Sequence, residues 1–258
     1  MIRIACVLSL VLAAAPACTP TPQVDPAEQA AQLKRNLANA KARVADERWK
    51  EAEGLVQAVQ AVEPNNVEAF NLLAQVRLAN KQLDEALALA DKAIAGDGKN
   101  AEYHATRASV LQAKEKFGDA AASWGQAFSI AADNAMYGLH QGQALMKAKQ
   151  FDKAEAAFRA VLEADEGVQY VLSELGDALR EQGKLDEALT FYAKSLVKYQ
   201  SDKMAYAGVA RVYEAKGDVQ KAIDSWSTYI RMDCCSAFSN DVAKKKIAEL
   251  QAGSAKPG

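Results

Sequence analysis

Two histidines, four cysteines and 33 acidic residues carry most of the reactive chemistry in this 258-residue chain. His104 and His140 stand apart from each other and from any nucleophile motif. A general acid or base must reach the proton it moves and needs a tuned proton affinity. A lone histidine on a helix reads instead as packing or surface. No Gly-rich phosphate loop, zinc-spaced cysteine set or Ser/His/Asp arrangement is present. No residue is expected to be catalytic or to ligate a metal, and no cofactor or small-molecule substrate is expected. Acidic pairs such as Asp84-Glu85 and Asp186-Glu187 recur where helices are expected to begin, and there a carboxylate favours the helix dipole without any catalytic role. Adjacent Cys234 and Cys235 can close a strained vicinal disulfide, pair between chains or stay as buried thiols. Buried packing is the plainest of the three.

The elements that position these side chains follow a fixed period. Six alanines stand 34 residues apart: Ala52, Ala86, Ala120, Ala154, Ala188 and Ala222. A second small residue leads each by twelve: Ala40, Ala74, Ala108, Gly142, Gly176 and Ala210. Trp49, Leu83, Phe117, Phe151, Leu185 and Val219 each sit three before the first set. No insertion breaks the period from Leu33 to Ser236. A 34-residue unit holds two helices and two turns. The small residues mark close helix approach, and the bulky ones fill the gap beside it. One such unit cannot bury its apolar face alone, so neighbours must stack into a solenoid.

The pattern resembles the tetratricopeptide repeat, most clearly in "NAEYHATRASVLQAKEKFGDAAASWGQAFSI" and "YVLSELGDALREQGKLDEALTFYAKSLVKY". The resemblance covers about four fifths of the chain. It implies an all-α, right-handed superhelical solenoid of six repeats, 33–66, 67–100, 101–134, 135–168, 169–202 and 203–236. Its concave face comes from the first helix of each repeat. Asp25, Pro26 and Glu28 predict a helix start before the first repeat, running to about Asp46, so the repeat domain spans 26–236. Asn36, Asn39 and Arg43 replace usual apolar residues, as suits a terminal repeat with one wet face. Turns are expected at Pro64-Asn65-Asn66, Gly96-Asp97-Gly98, Gly118, Gly183 and Gly217. A capping helix is expected over 237–252. Phe238, Val242, Ile247 and Leu250 would face the last repeat, with Lys244, Lys245 and Lys246 in water and a disordered tail at 253–258.

The first 17 residues read as a secretory signal. Arg3 precedes an apolar run from Ile4 to about Ala15, too short for a stable membrane anchor, and small residues follow. Cys18 directly after Ala15-Pro16-Ala17 resembles the lipobox of bacterial lipoproteins, which implies acylation of Cys18 and a lipid anchor in the outer or inner membrane; the alternative is plain export after Ala17 as a soluble periplasmic protein, with Cys18 a free thiol. Residues 18–25, with Pro20 and Pro22, read as an extended tether. Loss of the signal removes only Arg3 among charged residues. That leaves 30 basic against 33 acidic side chains, a net of −3, and argues against nucleic-acid binding. With 50% hydrophobic and 25% charged residues the composition is that of a soluble folded chain.

What remains is the groove. By analogy with the repeat family it is lined by Lys41, Asn71, Gln75, Ser109, Gln112, Met136, Leu139, Gln143, Met146, Tyr170, Ser173, Asp177, Arg180 and Arg211. Repeats that clamp a peptide's terminal carboxylate need polar or basic residues where Leu37 and Glu102 stand, which disfavours that ligand. Met136, Leu139, Met146 and Tyr170 form an apolar patch suited to a partner segment or to packing within the solenoid. Signal, lipobox, tether and six uninterrupted repeats together resemble the secretin-assembly lipoproteins, or pilotins, of type IV pilus systems. That resemblance implies a non-catalytic outer-membrane protein that holds a secretin subunit and assists its insertion and multimerisation. The alternatives are a scaffold for peptidoglycan or outer-membrane assembly enzymes, and a subunit of an enzyme complex.

Overall fold

The computed structural model describes residues 25–232, 236 and 239–254. The expected signal peptide, Cys18 and the Cys234-Cys235 pair lie outside the described residues. Twelve helices form six pairs: α1 Pro26–Ala45 with α2 Trp49–Gln60, α3 Val67–Ala79 with α4 Leu83–Gly96, α5 Ala101–Ala113 with α6 Phe117–Ile130, α7 Ala135–Lys147 with α8 Phe151–Ala164, α9 Val171–Glu181 with α10 Leu185–Lys198, and α11 Lys203–Lys216 with α12 Val219–Met232. A π-helical turn, Ser239–Ala243, leads into α13, Lys244–Ser254. The chain is an all-α solenoid, with no strand among the described residues. None of the described helices is long and apolar enough to cross a membrane.

The helix starts follow from local chemistry. Asp25 caps α1 through Ala27 N at 2.9 Å. Asn66, Asn100 and Asp202 cap α3, α5 and α11 in the same way, each satisfying an otherwise orphaned N–H. The second helices α2 to α10 lack such a side-chain cap, and each has an acidic residue in its first turn instead. Some of these acids also bind the next repeat. Asp84 pairs with Lys114, and Asp186 with Lys216.

The periodic small residues sit where the helices of a pair cross. All six alanines of the first set are fully buried, as are Ala40, Ala74, Ala108 and Ala210. A Cβ on Gly142 would lie 2.3 Å from the Phe158 ring, and one on Gly176 would lie 2.6 Å from Tyr192. Glycine is used where the facing side chain is a large, inward-pressed aromatic. At two alanine sites the facing ring is an indole. There Trp124 Nε1 donates to Gln112 Oε1 at 2.8 Å, and Trp226 Nε1 to Glu214.

First helices also touch across repeats. Helix α1 meets α3, α3 meets α5, α7 meets α9 and α9 meets α11, while successive second helices make no comparable contact. The first helices therefore form the inner layer. At the far end Ala243, Ile247 and Leu250 cover Ala207, Ala210, Trp226 and Tyr229, so α13 caps the stack.

Three expectations need correction. Gly118 is the second residue of α6, and the turn before it bends at Glu115, with φ of 59°. Gly96 is the last residue of α4, held close to Val67. Helix α13 continues to Ser254, so 253–254 belong to the cap; Gly253 at its exposed end meets no steric obstacle to helix.

Candidate functional site

Counting each repeat from its first residue, the second, ninth and twelfth positions of the first helices face inward. Glu102, a second-position residue on α5, shows how these positions meet. It accepts hydrogen bonds from Lys41 Nζ on α1 at 3.0 Å and from Asn71 Nδ2 and Gln75 Nε2 on α3 at 3.2 and 3.3 Å. Gln75 also donates to Thr106 Oγ1 at 3.3 Å. The hydrogen bond and charge of Glu102 raise the Lys41 pKa above its ordinary value. These contacts tie three first helices together. A concavity of about 400 Å³ lies here, lined in part by Gln75, Glu102, Thr106 and Ser109.

From repeat four onward the second position changes character. Met136, Tyr170 and Met204 occupy it, and they remain 46%, 41% and 39% exposed. They lie one per repeat along the same inner rim, and the fold leaves them uncovered. Below them is a larger concavity of about 700 Å³, lined by Gln112, Gln143, Met146, Lys147, Glu174 and Met204 among others. A third, of about 270 Å³, has Asp177, Met204, Arg211 and Tyr229 in its walls.

The groove floor in the second half is a polar network. Tyr192 reaches through from α10 and donates its hydroxyl to Asp177 Oδ1 at 2.7 Å. Arg180 pairs with the same carboxylate at 3.1 Å and with Glu181 at 2.8 Å. Burial disfavours the Arg180 charge, but Asp177 outweighs it and raises the pKa. Burial likewise pushes the Tyr192 hydroxyl up. Gln143 Nε2 donates to Glu174 Oε1 at 2.9 Å, and burial raises the Glu174 pKa.

The structure sorts the expected lining residues. Gln75, Ser109, Gln112, Gln143, Met146, Asp177 and Arg211 line concavities, and Met136 and Tyr170 are exposed on the rim. Arg180 is held low in the groove by Asp177 and Glu181. Asn71, Leu139 and Ser173 are corrected: all three are buried. They share the fifth position, which faces the seam between neighbouring first helices rather than the opening. Leu139 belongs to the core, and Ser173 donates to the buried Asp202 carboxylate, which Ser195 also reaches. Met146 both lines a concavity and packs against the core. Tyr170 does not begin a helix. It precedes α9 in the left-handed region, with φ of 69°. Sequence reasoning missed Met204 and Glu174. Met204 had a usable signal, because it repeats the register of Met136 and Tyr170; Glu174 had none.

The histidines have structural surroundings. His104 Nε2 donates to Gly98 O at 3.0 Å, and His140 lies over Trp124 with ring centres 4.8 Å apart. Among the described residues no group of three or more His, Cys, Asp or Glu side chains could hold a metal ion.

Comparison with known proteins gives a consistent match. Family profiles described as tetratricopeptide repeat match residues 43–110, and 106–169, 139–203 and 173–233. A search of curated proteins found no match. Among solved structures, one titled for the functional characterization of PilF of Pseudomonas aeruginosa superposes with a TM-score of 0.66 at 15% identity, covering 88% of this chain and 99% of that one. YrrB, titled a TPR protein with an unusual peptide-binding site, gives 0.60 at 21% identity over 73% and 97%. A repeat protein from Parabacteroides merdae gives 0.68 at 18% identity over 86% and 87%. At these identities the likeness is one of fold.

Proposed function

Because the chain belongs to the tetratricopeptide-repeat family, we propose that it is a non-catalytic scaffold whose second-half groove captures a segment of another protein. One observation carries this reading: the row of exposed Met136, Tyr170 and Met204 on the inner rim of three successive repeats. Exposed apolar side chains in a row are a cost in water that a binding partner removes. A tyrosine among adaptable methionines is the composition of a contact surface. That YrrB has a peptide-binding site is in keeping with this use of the fold.

The finer form of the proposal places the protein at the outer membrane. It is exported, acylated at Cys18 and held by the tether, and its partner is a secretin subunit whose insertion and multimerisation it assists. Support comes from the Ala17-Cys18 junction after the apolar run. The near end-to-end superposition on PilF is in keeping with it. Two experiments test the two levels. Tyr170→Glu with Met204→Glu should abolish capture of a secretin subunit from envelope membranes at micromolar concentration, since hot-spot residues are each worth at least about 2 kcal/mol. Circular dichroism and thermal unfolding should remain those of the parent, because both side chains are exposed. Capture at parental affinity would move the binding surface elsewhere, and recovery of peptidoglycan or outer-membrane assembly enzymes instead would replace the partner. Cys18→Ala should end incorporation of labelled fatty acid; equal labelling would remove the anchor from the account.

A further inference from the structure

A groove concavity of about 700 Å³ contains Glu174, Lys147 and Lys149, none of them in an ion pair among the described residues, although the Lys147 charge acts on Glu174 from a distance. Glu174 extends from the first turn of α9 and is half-buried. Its side chain has one hydrogen-bond partner, the amide of Gln143. Among the described residues no lysine or arginine lies within ion-pair distance of it. The nearby acids on the same helix differ: Asp177 holds Arg180 and the Tyr192 hydroxyl, and Glu181 holds Arg180. Lys147 and Lys149, at the end of α7 and just beyond it, line the same concavity, and neither makes an ion pair among the described residues. Met146 and Met204 stand in the walls as well.

We propose that this concavity recognises a protein segment of defined polarity, which presents a lysine or arginine to Glu174 and an acidic residue toward Lys147 and Lys149. The inference rests on the groove reading above and names the chemistry of its occupant. The geometry supplies three reasons. A half-buried carboxylate with a single neutral partner gains more from an arriving cation than an exposed one, because less water screens the pair. The methionine walls suit the apolar stem of a long basic side chain, with its charged head at Glu174. Lys147, one helical turn after Gln143, and Lys149 line the same concavity and repel a second basic group there, and repulsion of wrong partners is a common source of specificity. The burial that raises the Glu174 pKa also means that its charge is carried at a cost to the fold.

The test uses the full chain and a displayed library of random dodecapeptides, panned in parallel against the parent, Glu174→Gln, and Lys147→Gln with Lys149→Gln. Peptides selected by the parent should share a basic position and an acidic position in fixed order. Glu174→Gln should lose the basic preference and bind a fluorescent peptide of the selected sequence at least about tenfold more weakly. The lysine double variant should lose only the acidic preference. Thermal unfolding provides the second readout, and Glu174→Gln should melt at or above the parental temperature. The inference is overturned by selected peptides without a basic position, by an unchanged preference in Glu174→Gln, or by marked destabilisation of that variant. Selected peptides that lack the charge pattern yet are lost on Tyr170→Glu would leave the groove reading standing without this inference. Failure of the parent to enrich any peptide would overturn both.

Discussion

At the scale of residues, the period encodes pairs of sizes. The eighth and twenty-fourth positions face each other, as Ala40 and Val56 in repeat one and as Gly142 and Phe158 in repeat four. Gly142→Ala should cost about 1–3 kcal/mol, because the new methyl meets a fully buried ring. Adding Phe158→Val recreates the pairing of repeat one, so the double variant should lose less than the sum of the singles in urea unfolding. Strict additivity would show that the two positions do not share the space. Glu155 makes a second case. Burial opposes its charge, but Lys184 at 2.8 Å, Gln182 at 2.9 Å and Arg159 at 2.9 Å outweigh burial and hold its pKa at about 2. The folded state thus binds this proton less readily than the unfolded state. Its stabilising contribution is complete above the ordinary value of 4.5 and is lost as pH falls toward about 2. The thermal midpoint of the parent should drop more steeply between those limits than that of Glu155→Gln. Identical pH profiles would remove Glu155 from the acid sensitivity.

At the scale of elements, the turn inside each repeat bends at one left-handed residue. Glu47, Lys81, Glu115, Lys149, Gly183 and Gly217 all have positive φ and stand 34 residues apart. Four repeats tolerate a side chain there, so the shape of the hairpin, and not glycine, dictates the conformation. Gly183→Ala should cost about 1 kcal/mol, arising in the backbone, because a Cβ at Gly183 would meet nothing within 4 Å. A loss several times larger, measured by urea denaturation, would mean that the turn itself rearranges. The start of α9 is the exception among first helices. Val168 occupies the register where Asn66, Asn100 and Asp202 act as caps, and it is buried instead. Here the helix begins at Val171, two residues later in the repeat than α3, α5, α7 and α11, and Tyr170 takes the left-handed conformation. The tyrosine of the rim is therefore displayed by an irregular junction, where backbone strain commonly accompanies function.

At the scale of the whole molecule, the buried apolar residues divide unevenly. One cluster joins Leu33, Val56, Val59, Leu72 and Leu73 in repeats one and two. A much larger one runs from Ala105 to Val212, across repeats three to six. Between them α4 buries only alanines, Ala86, Ala90 and Ala93. Solenoid stability is close to a sum of repeat and neighbour terms, so a thin joint weakens coupling. Amides of α1 to α3 should exchange with solvent through a lower-energy opening than those of α7 to α10. Hydrogen exchange followed by mass spectrometry tests this, and uniform protection along the chain would contradict it. The proposed groove residues lie in the better-coupled half, which favours a preformed binding surface.

The repeat count, the helix pairs and the buried small positions were legible in the sequence. They depend on a period, and a period survives without any knowledge of distance: Ala52 through Ala222 must all meet the same neighbour if the units stack at all. The start at Asp25 was legible for a similar reason, since capping is decided within four residues. Tertiary structure alone decided which side of a first helix is seam and which is opening. Leu139 and Met136 are three residues apart on one helical face, yet the curvature of the inner layer buries the first and exposes the second. Ion pairing was equally hidden. That Asp177 is ion-paired while Glu174 meets only the Gln143 amide depends on Tyr192 and Arg180 converging on one carboxylate. Tyr192 arrives from the following helix, and only the crossing of α9 and α10 sets the place at which it arrives.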